Sequence, residues 1–277
     1  MDNSFKAQMN SVSKAQKDFI SAYKRRKNLI TFFRIFILFS FLICWELTAD
    51  YGIINCFIFS SPSRLFKAFI SLAKNGEIYT HITTTVLETV ICFFLVSFIS
   101  ILIAVLLWQS RFLSDILEPY LVTLNSLPKS ALAPVLIVWL GSNIKTIIVA
   151  AVSVCIFGTI INIYTSFKET DEEKIKLIYT LGGNKRNALY KVIIPGSVPA
   201  IFSSMKVNIG LSLVGVIIGE FLAATKGLGY LIIYGSQVFK MDWVIISIVI
   251  LCFLAVILYK IINFFEKVLI KKQAYHL

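Results

Sequence analysis

Two long windows without a charged residue constrain this chain more than any other feature. Residues 89–109 and 146–167 contain no Asp, Glu, Lys or Arg, and residues 243–259 form a shorter window of the same kind. A helix needs about 20 apolar residues to cross the hydrocarbon core of a bilayer. The first two windows therefore have the required length, and the third nearly has it. A soluble fold is disfavoured, because its surface would need charges spread along the chain.

Three further apolar segments carry isolated charges: residues 29–47, 120–140 and 198–224. Of all residues, 57% are hydrophobic and 15% are charged, whereas an average globular protein has roughly 25% charged residues. We therefore predict an all-α membrane protein with six transmembrane helices. The predicted spans are residues 29–47, 84–108, 119–140, 145–166, 198–224 and 243–264.

The remaining segments are short. Residues 1–28 form a polar arm, which is either a membrane-surface helix or a disordered tail, and residues 271–277 form a second tail. Between them, residues 29–270 form one membrane domain. The basic cluster at residues 24–27 and the long apolar run after it are expected to act as an uncleaved anchor and not as a signal peptide. Between the first two spans, Ser63 is predicted to cap a short amphipathic helix that ends at Asn75-Gly76.

The net charge of +12 follows the predicted topology. If the N-terminus lies inside the cell, the cytoplasmic segments hold 17 Lys and Arg residues and the outer segments hold 6. This asymmetry obeys the positive-inside rule and predicts that both termini are cytoplasmic. The basic residues are therefore expected to face the lipid bilayer and cytoplasm, and not nucleic acid. The predicted location is the bacterial cell membrane, in a multi-pass arrangement.

Motifs of catalysis are missing from the sequence. It has no phosphate-binding glycine loop, no nucleophile elbow and no zinc-binding HExxH pattern. The five cysteines are scattered, without the spacing of a metal site or a disulfide framework. We predict no catalytic residue, no metal site and no cofactor in this chain.

Three charged residues lie inside predicted spans, where an unpaired charge is costly. Lys129 stands between Pro128 and Pro134, and Lys206 and Glu220 lie fourteen residues apart on one side of a helix. Each of the three either lines a solute pathway or belongs to a structural ion pair or contact. Gly215 and Gly219 have the spacing of a close helix contact.

One polar segment of residues 167–197 interrupts the apolar sequence. Its acidic start favours a helix N-terminus, Gly182-Gly183 ends that helix, and a second short helix over 185–192 is predicted to stop before Pro195. Apolar residues on two short helices in a polar setting indicate a docking surface. The alternative is a helix pair packed onto the membrane surface.

This segment resembles the EAA loop of ABC-importer permeases, in which a glycine is followed, after nine intervening residues, by an I-x-L-P sequence. Gly182 takes the glycine position, and residues 192–195 read VIIP. Lys176 stands where the family has the glutamate of its EAA triplet. Further segments resemble the nitrate, sulfonate and taurine branch of these permeases over residues 40–265. They are "WE", "SSPSRLFKAF", "THITTTVLETV", "LPKSALAPVLIVWLG" and "GEFLAATKGLGYLI".

The resemblance implies the permease subunit of an ATP-driven importer that depends on a binding protein, with a type I fold. It implies a homodimer around the pathway, a separate ATPase subunit that binds ATP and magnesium, and an extracytoplasmic substrate-binding lipoprotein. The solute would be a nitrate-, sulfonate- or taurine-like anion, or a vitamin precursor such as a thiamine pyrimidine or riboflavin. The residues expected to couple to the ATPase are Lys176, Ile178, Leu181, Gly182, Gly183, Asn184, Arg186, Tyr190 and Pro195.

Two other functions remain possible from the residues. A self-contained secondary transporter or channel would use Lys129, Lys206 and Glu220 as its ion pathway, although the sequence lacks an internal repeat. A membrane scaffold would use the polar segment to bind a partner without moving a solute.

Overall fold

The computed structural model describes residues 2–274, and for residues 2–15, 17, 18, 130 and 269–274 it describes the backbone alone. Every regular element in this range is helical. The elements are α1 (Asp2–Asp50), α2 (Cys56–Phe59), α3 (Pro62–Lys74), α4 (Glu77–Gln109), α5 (Arg111–Ser126), α6 (Lys129–Leu140), α7 (Ile144–Lys168), α8 (Glu172–Thr180), α9 (Lys185–Ala188), a π-helical turn (Leu189–Ile193), α10 (Ile194–Ala223), α11 (Leu228–Gln237) and α12 (Met241–Ala274).

Five helical segments of the described range are long and apolar enough to cross a membrane, and the bent pair of α5 and α6 makes a sixth if it counts as one span. The predicted all-α membrane fold is confirmed on this basis. The five segments are Phe19–Asp50, Glu77–Gln109, Ile144–Lys168, Lys185–Ala223 and Met241–Val268. The cytoplasmic position of both termini stays a prediction.

The predicted span over residues 119–140 consists of two helices, α5 and α6, joined by a sharp bend. The chain bends by 102° between α5 and the body of α6. Proline lacks a backbone N–H and disfavours a helical conformation in the residue before it. Leu127 accordingly takes an extended conformation before Pro128, with φ −65° and ψ 141°. The second proline, Pro134, lies inside α6 without ending it.

The chain divides into two compact units, Met1–Phe66 and Lys67–Leu277. In the first unit, α1 is one continuous helix that joins the predicted span to the polar arm. Its Glu46 carboxylate accepts a hydrogen bond of 3.0 Å from the Ser63 N–H. Ser63 is the second residue of α3, so it is not the cap that the sequence predicted. Ser61 precedes the first residue of α3, and its carbonyl accepts from the Leu65 N–H at 2.9 Å.

The second unit is built on three helices, α4, α7 and α10, which pack against one another. Small residues allow the close approach of α10 to α7. A Cβ at Gly215 would lie 2.8 Å from the Ala151 Cα, and one at Gly219 would lie 2.9 Å from the Ile147 Cα. The predicted role of these glycines in helix packing is confirmed.

Helix α11 was not predicted from the sequence. It connects α10 to α12 and packs against α4, α10 and α12. Gly229 and Gly235 lie inside it, and glycine has low helix propensity. Contacts with its neighbours therefore stabilise this helix more than its own sequence does.

Candidate functional site

The predicted polar segment folds into a helical hairpin of α8 and α9, and its turn has the geometry expected of a glycine-terminated helix. Asp171 caps α8 by accepting from the Glu173 N–H at 3.0 Å. At the other end, the Gly183 N–H donates to the Ile178 carbonyl at 2.8 Å, and the Gly182 N–H donates to the Tyr179 carbonyl at 3.0 Å. This pair of bonds is a Schellman motif, which requires the left-handed conformation that Gly182 adopts at φ 78°.

The second half of the hairpin differs from the prediction. The Asn184 side chain caps α9 by accepting from the Asn187 N–H at 3.0 Å. The helix does not stop before Pro195. It passes through the π-helical turn directly into α10. The Ile194 N–H donates to the Leu189 carbonyl, so Pro195, which has no N–H, follows at the first turn of α10, where proline is tolerated.

The inner side of the hairpin is fixed to the helical bundle. Leu189 and Ile193 are fully buried in one cluster with Phe167 of α7, and Ile175 of α8 packs against that cluster. Lys185 donates to the Gln109 carbonyl at the end of α4, at 2.8 Å. A displacement of the hairpin would therefore move α7 and α10 with it.

The outer side of the hairpin presents four exposed apolar side chains. The exposed fractions are 57% for Leu177, 44% for Tyr179, 75% for Leu181 and 66% for Tyr190. We call these four residues the hairpin patch. Leucine and tyrosine at such exposure on a hairpin fixed to the core are typical of a protein-binding surface.

The predicted coupling residues divide between this patch and the framework beneath it. Leu181 and Tyr190 belong to the patch, and Arg186 and Lys176 are exposed beside it. Ile178 is half-buried, while Gly182, Gly183 and Asn184 shape the turn. Lys176 lies 3.4 Å from Glu172 of its own helix, and both side chains are exposed.

Leu177 and Tyr179 were not among the predicted coupling residues. Leu177 and Leu181 are four residues apart and so share one helical face. Ile175 and Ile178 share another, and the sequence alone does not show which of these faces is inward.

The three predicted intramembrane charges each have partners of their own. Lys206 of α10 lies 2.9 Å from both carboxylate oxygens of Glu266 in α12. Lys129 donates to the Asn125 carbonyl, which the end of α5 leaves without a helical partner. Glu220 accepts from the Thr85 hydroxyl at 2.7 Å and from the Gly229 N–H at 2.6 Å.

A bundle of membrane-spanning helices that carries one polar hairpin with an exposed apolar patch defines a multi-pass membrane protein with a candidate docking surface. The comparisons with known proteins agree. A family model described as "Binding-protein-dependent transport system inner membrane component" matches residues 98–274. The chain belongs to this family. It is an ABC-importer permease of the cell membrane, and the resemblance to the sulfonate and taurine branch is confirmed.

Several curated relatives are similar over most of their length. The formylaminopyrimidine transport permease of Halalkalibacterium halodurans is 28% identical, covering 68% of this chain and 75% of that protein. The riboflavin transport system permease of Chloroflexus aurantiacus is 24% identical, covering 84% and 87%. A putative aliphatic sulfonates transport permease of Bacillus subtilis is 22% identical, covering 82% of each chain.

Two solved structures show the same fold. The inward-facing MetNI methionine ABC transporter matches with a TM-score of 0.58 at 16% identity, covering 69% of this chain and 96% of that one. An amino acid ABC transporter crystallised with histidines matches with a TM-score of 0.60 at 17% identity, covering 72% and 97%. The predicted type I importer fold is therefore confirmed.

Proposed function

We propose that the hairpin patch binds a separate ATPase subunit and transmits its nucleotide-dependent movement to the permease. The observation that carries this proposal is the combination of four exposed apolar side chains with a buried attachment to α7 and α10. Family membership supports the same partner, together with a substrate-binding protein on the other side of the membrane. ATP and magnesium would be bound by the ATPase and not by this chain.

The physical role of the hairpin is to convert one arrangement of the bundle into another. A ligand shifts an equilibrium between two arrangements only by binding them with different affinity. Nucleotide bound to the ATPase would provide that difference, and the rigid attachment through Leu189 and Ile193 would carry it into α10. A second copy of this chain would complete the pathway, because the sequence lacks an internal repeat that could supply a second half.

The experiment that tests this proposal replaces one patch residue. The chain is co-expressed with candidate ATP-binding cassette subunits of its own genome, and the complex is purified through a tag on the permease. We expect Leu181→Gln to lower ATPase recovery several-fold, because it removes a 75% exposed apolar side chain from the patch. Folding of the variant is checked by its thermal unfolding temperature.

The matched control is Lys174→Gln, which changes an exposed residue of α8, the helix that ends directly before Leu181, without removing apolar surface. It should leave ATPase recovery unchanged. Equal recovery with the Leu181 variant and the wild type would contradict the assignment of the patch, and no recovery with any candidate subunit would contradict the proposed function itself.

For the solute, we propose a small organic compound of the kinds named for the relatives. The first candidate is a nitrogen heterocycle such as an aminopyrimidine or a flavin, and an inorganic or sulfonate anion ranks below it. Two observations support this order. The formylaminopyrimidine permease has the higher identity of the relatives compared above, and Lys206 is neutralised by Glu266, so it is a poor ligand for an anion. A nitrate-, sulfonate- or taurine-like anion is the second candidate, with Lys129 as its available cation.

A further inference from the structure

A cluster of polar side chains at the other end of α10 surrounds the first residues of α11. It comprises His81, Thr85 and Glu88 of α4 and Glu220 of α10, and we call it the α11 clamp. Thr85 is fully buried, Glu88 is 2% exposed and Glu220 is 1% exposed. None of the four residues belongs to the hairpin or to its attachment to the bundle. Of the four, only Glu220 was predicted from the sequence as a candidate functional residue.

The clamp caps α11 with side chains of other helices. A helix leaves its first N–H groups without helical partners, and the residue before α11 is Gly227, which has no side chain to cap it. The Gly227 N–H donates to His81 Nδ1 at 3.0 Å. The Leu228 N–H donates to Thr85 Oγ1 at 2.8 Å. The Gly229 N–H donates to Glu220 Oε2 at 2.6 Å.

Thr85 is the centre of this arrangement. Its hydroxyl accepts the Leu228 N–H and donates to Glu220 Oε1 at 2.7 Å. One hydroxyl thus links α4, α10 and α11. The Glu220 carboxylate also stands at the positive end of the α11 dipole, which favours a negative group there.

Glycines make room for the carboxylate. Gly227 has a positive φ of 115°, and a Cβ on it would overlap the Glu220 carboxyl group. A Cβ on Gly229 would lie 2.8 Å from Glu220 Oε2. The sequence GLG at residues 227–229 is therefore suited to the approach of this carboxylate to the backbone.

Glu88 of α4 is the second buried carboxylic acid of the clamp. Its Oε2 atom is buried and has no hydrogen-bond partner among the residues that the structure describes.

Helix α11 carries one wall of a cavity of about 460 Å³. Its Tyr230 and Tyr234 stack on each other with ring centroids 5.8 Å apart, and the stack continues to His81 of α4 and Trp243 of α12. Because His81 belongs to both the stack and the clamp, the position of α11 relative to α4 sets the shape of this cavity.

We infer that Thr85 and Glu220 are positioning residues for α11. They supply its N-terminal cap from α4 and α10 and hold it against α4, and Glu220 acts on the α11 backbone instead of on a transported solute. This inference does not depend on the hairpin or its ATPase partner.

A distance measurement by pulsed electron paramagnetic resonance tests the inference. Spin labels are attached at Tyr79→Cys in α4 and Ser236→Cys in α11, both at exposed positions. The native cysteines Cys44, Cys56 and Cys252 are first replaced by alanine, and labelled chain is diluted with unlabelled chain in liposomes. We expect a single narrow distance in the wild type and its loss to a broad distribution in Thr85→Val, which removes the bridging hydroxyl.

Two matched variants separate positioning from general instability. Thr83→Val makes the same substitution on an exposed face of α4, where the hydroxyl bonds only to carbonyls of its own helix, and it should keep the narrow distance. Thr85→Ser restores the hydroxyl and should restore that distance. Gly227→Ala places a Cβ against the Glu220 carboxyl group and so disturbs the clamp from the side of α11. It should broaden the distance distribution as Thr85→Val does.

The measured distances decide whether Thr85 and Glu220 position α11. If Thr85→Val and Gly227→Ala both keep the narrow distance of the Thr83→Val control, the inference is overturned. If Thr85→Val does not insert into the membrane, the distance in Gly227→Ala decides alone: a broad distribution supports the inference, and a narrow one overturns it.

Discussion

Two adjacent glycines close the hairpin for different physical reasons. Gly182 adopts a left-handed conformation at φ 78°, and a Cβ on it would meet nothing within 4 Å. Gly183 has an ordinary φ, but a Cβ on it would lie 2.5 Å from Ile178 Cγ2 and 2.7 Å from the Ile178 carbonyl oxygen. A side chain is disfavoured at Gly182 by the backbone conformation and at Gly183 by the lack of space.

Asparagine distinguishes these two causes. It tolerates the left-handed conformation better than other non-glycine residues, so Gly182→Asn should cost about 1 kcal/mol or less. Gly183→Asn keeps the clash with the Ile178 carbonyl and should lower the thermal unfolding temperature clearly more. Unfolding of the two purified variants in detergent measures the difference, and a larger loss in Gly182→Asn would reverse this assignment.

At the scale of helices, the pairing of α10 with α12 explains the lysine inside a span. Lys206 and Glu266 are 60 residues apart and their side chains are 21% and 14% exposed. Burial removes both groups from water, so each depends on the other. The pair joins α12 to the helix that continues into the hairpin.

A double substitution tests whether this pair is structural. Lys206→Met leaves the Glu266 carboxylate without its partner and should destabilise the protein by about 3–5 kcal/mol. Lys206→Met combined with Glu266→Met removes both charges and should recover most of the stability and of the solute uptake. Thermal unfolding and uptake are measured on the same preparations.

Solute uptake by the double variant shows whether Lys206 has a structural role or contacts the solute. A double variant that is stable but transports nothing would mean that Lys206 contacts the solute, which contradicts the structural role. Lys174→Met, an exposed lysine replaced in the same way, serves as the control.

At the scale of the whole molecule, transport is expected only from the complete assembly. Liposomes that contain this chain alone should show no uptake driven by an ion gradient, because Lys206 and Glu220 are engaged with Glu266 and α11. Liposomes with the ATPase subunit, the substrate-binding protein and ATP should accumulate solute. Labelled aminopyrimidine, riboflavin and taurine are compared in the same preparation.

Two outcomes would contradict these expectations. Gradient-driven uptake by the chain alone would favour the secondary-transporter alternative. Accumulation of taurine but neither heterocycle would reverse the proposed order of solutes while leaving the importer function intact.

Local patterns in the sequence were sufficient for the membrane class and for the hairpin. Uncharged windows of membrane length predict spans wherever they occur, and Gly182-Gly183 ends a helix through bonds within six residues of chain. Pro128 likewise signals a break, although the sequence did not show that the chain would bend by 102° there while passing straight through Pro134.

Contacts between distant residues were decided only by the tertiary structure. Thr85 meets Glu220 across 135 positions of sequence and Lys206 meets Glu266 across 60, and no local pattern marks such partners. The same holds for α8, where both helical faces carry apolar residues and packing alone determined that Ile175 faces inward and Leu177 outward. Periodicity and composition fix what a segment can become, whereas the free energy of packing selects which side chains meet.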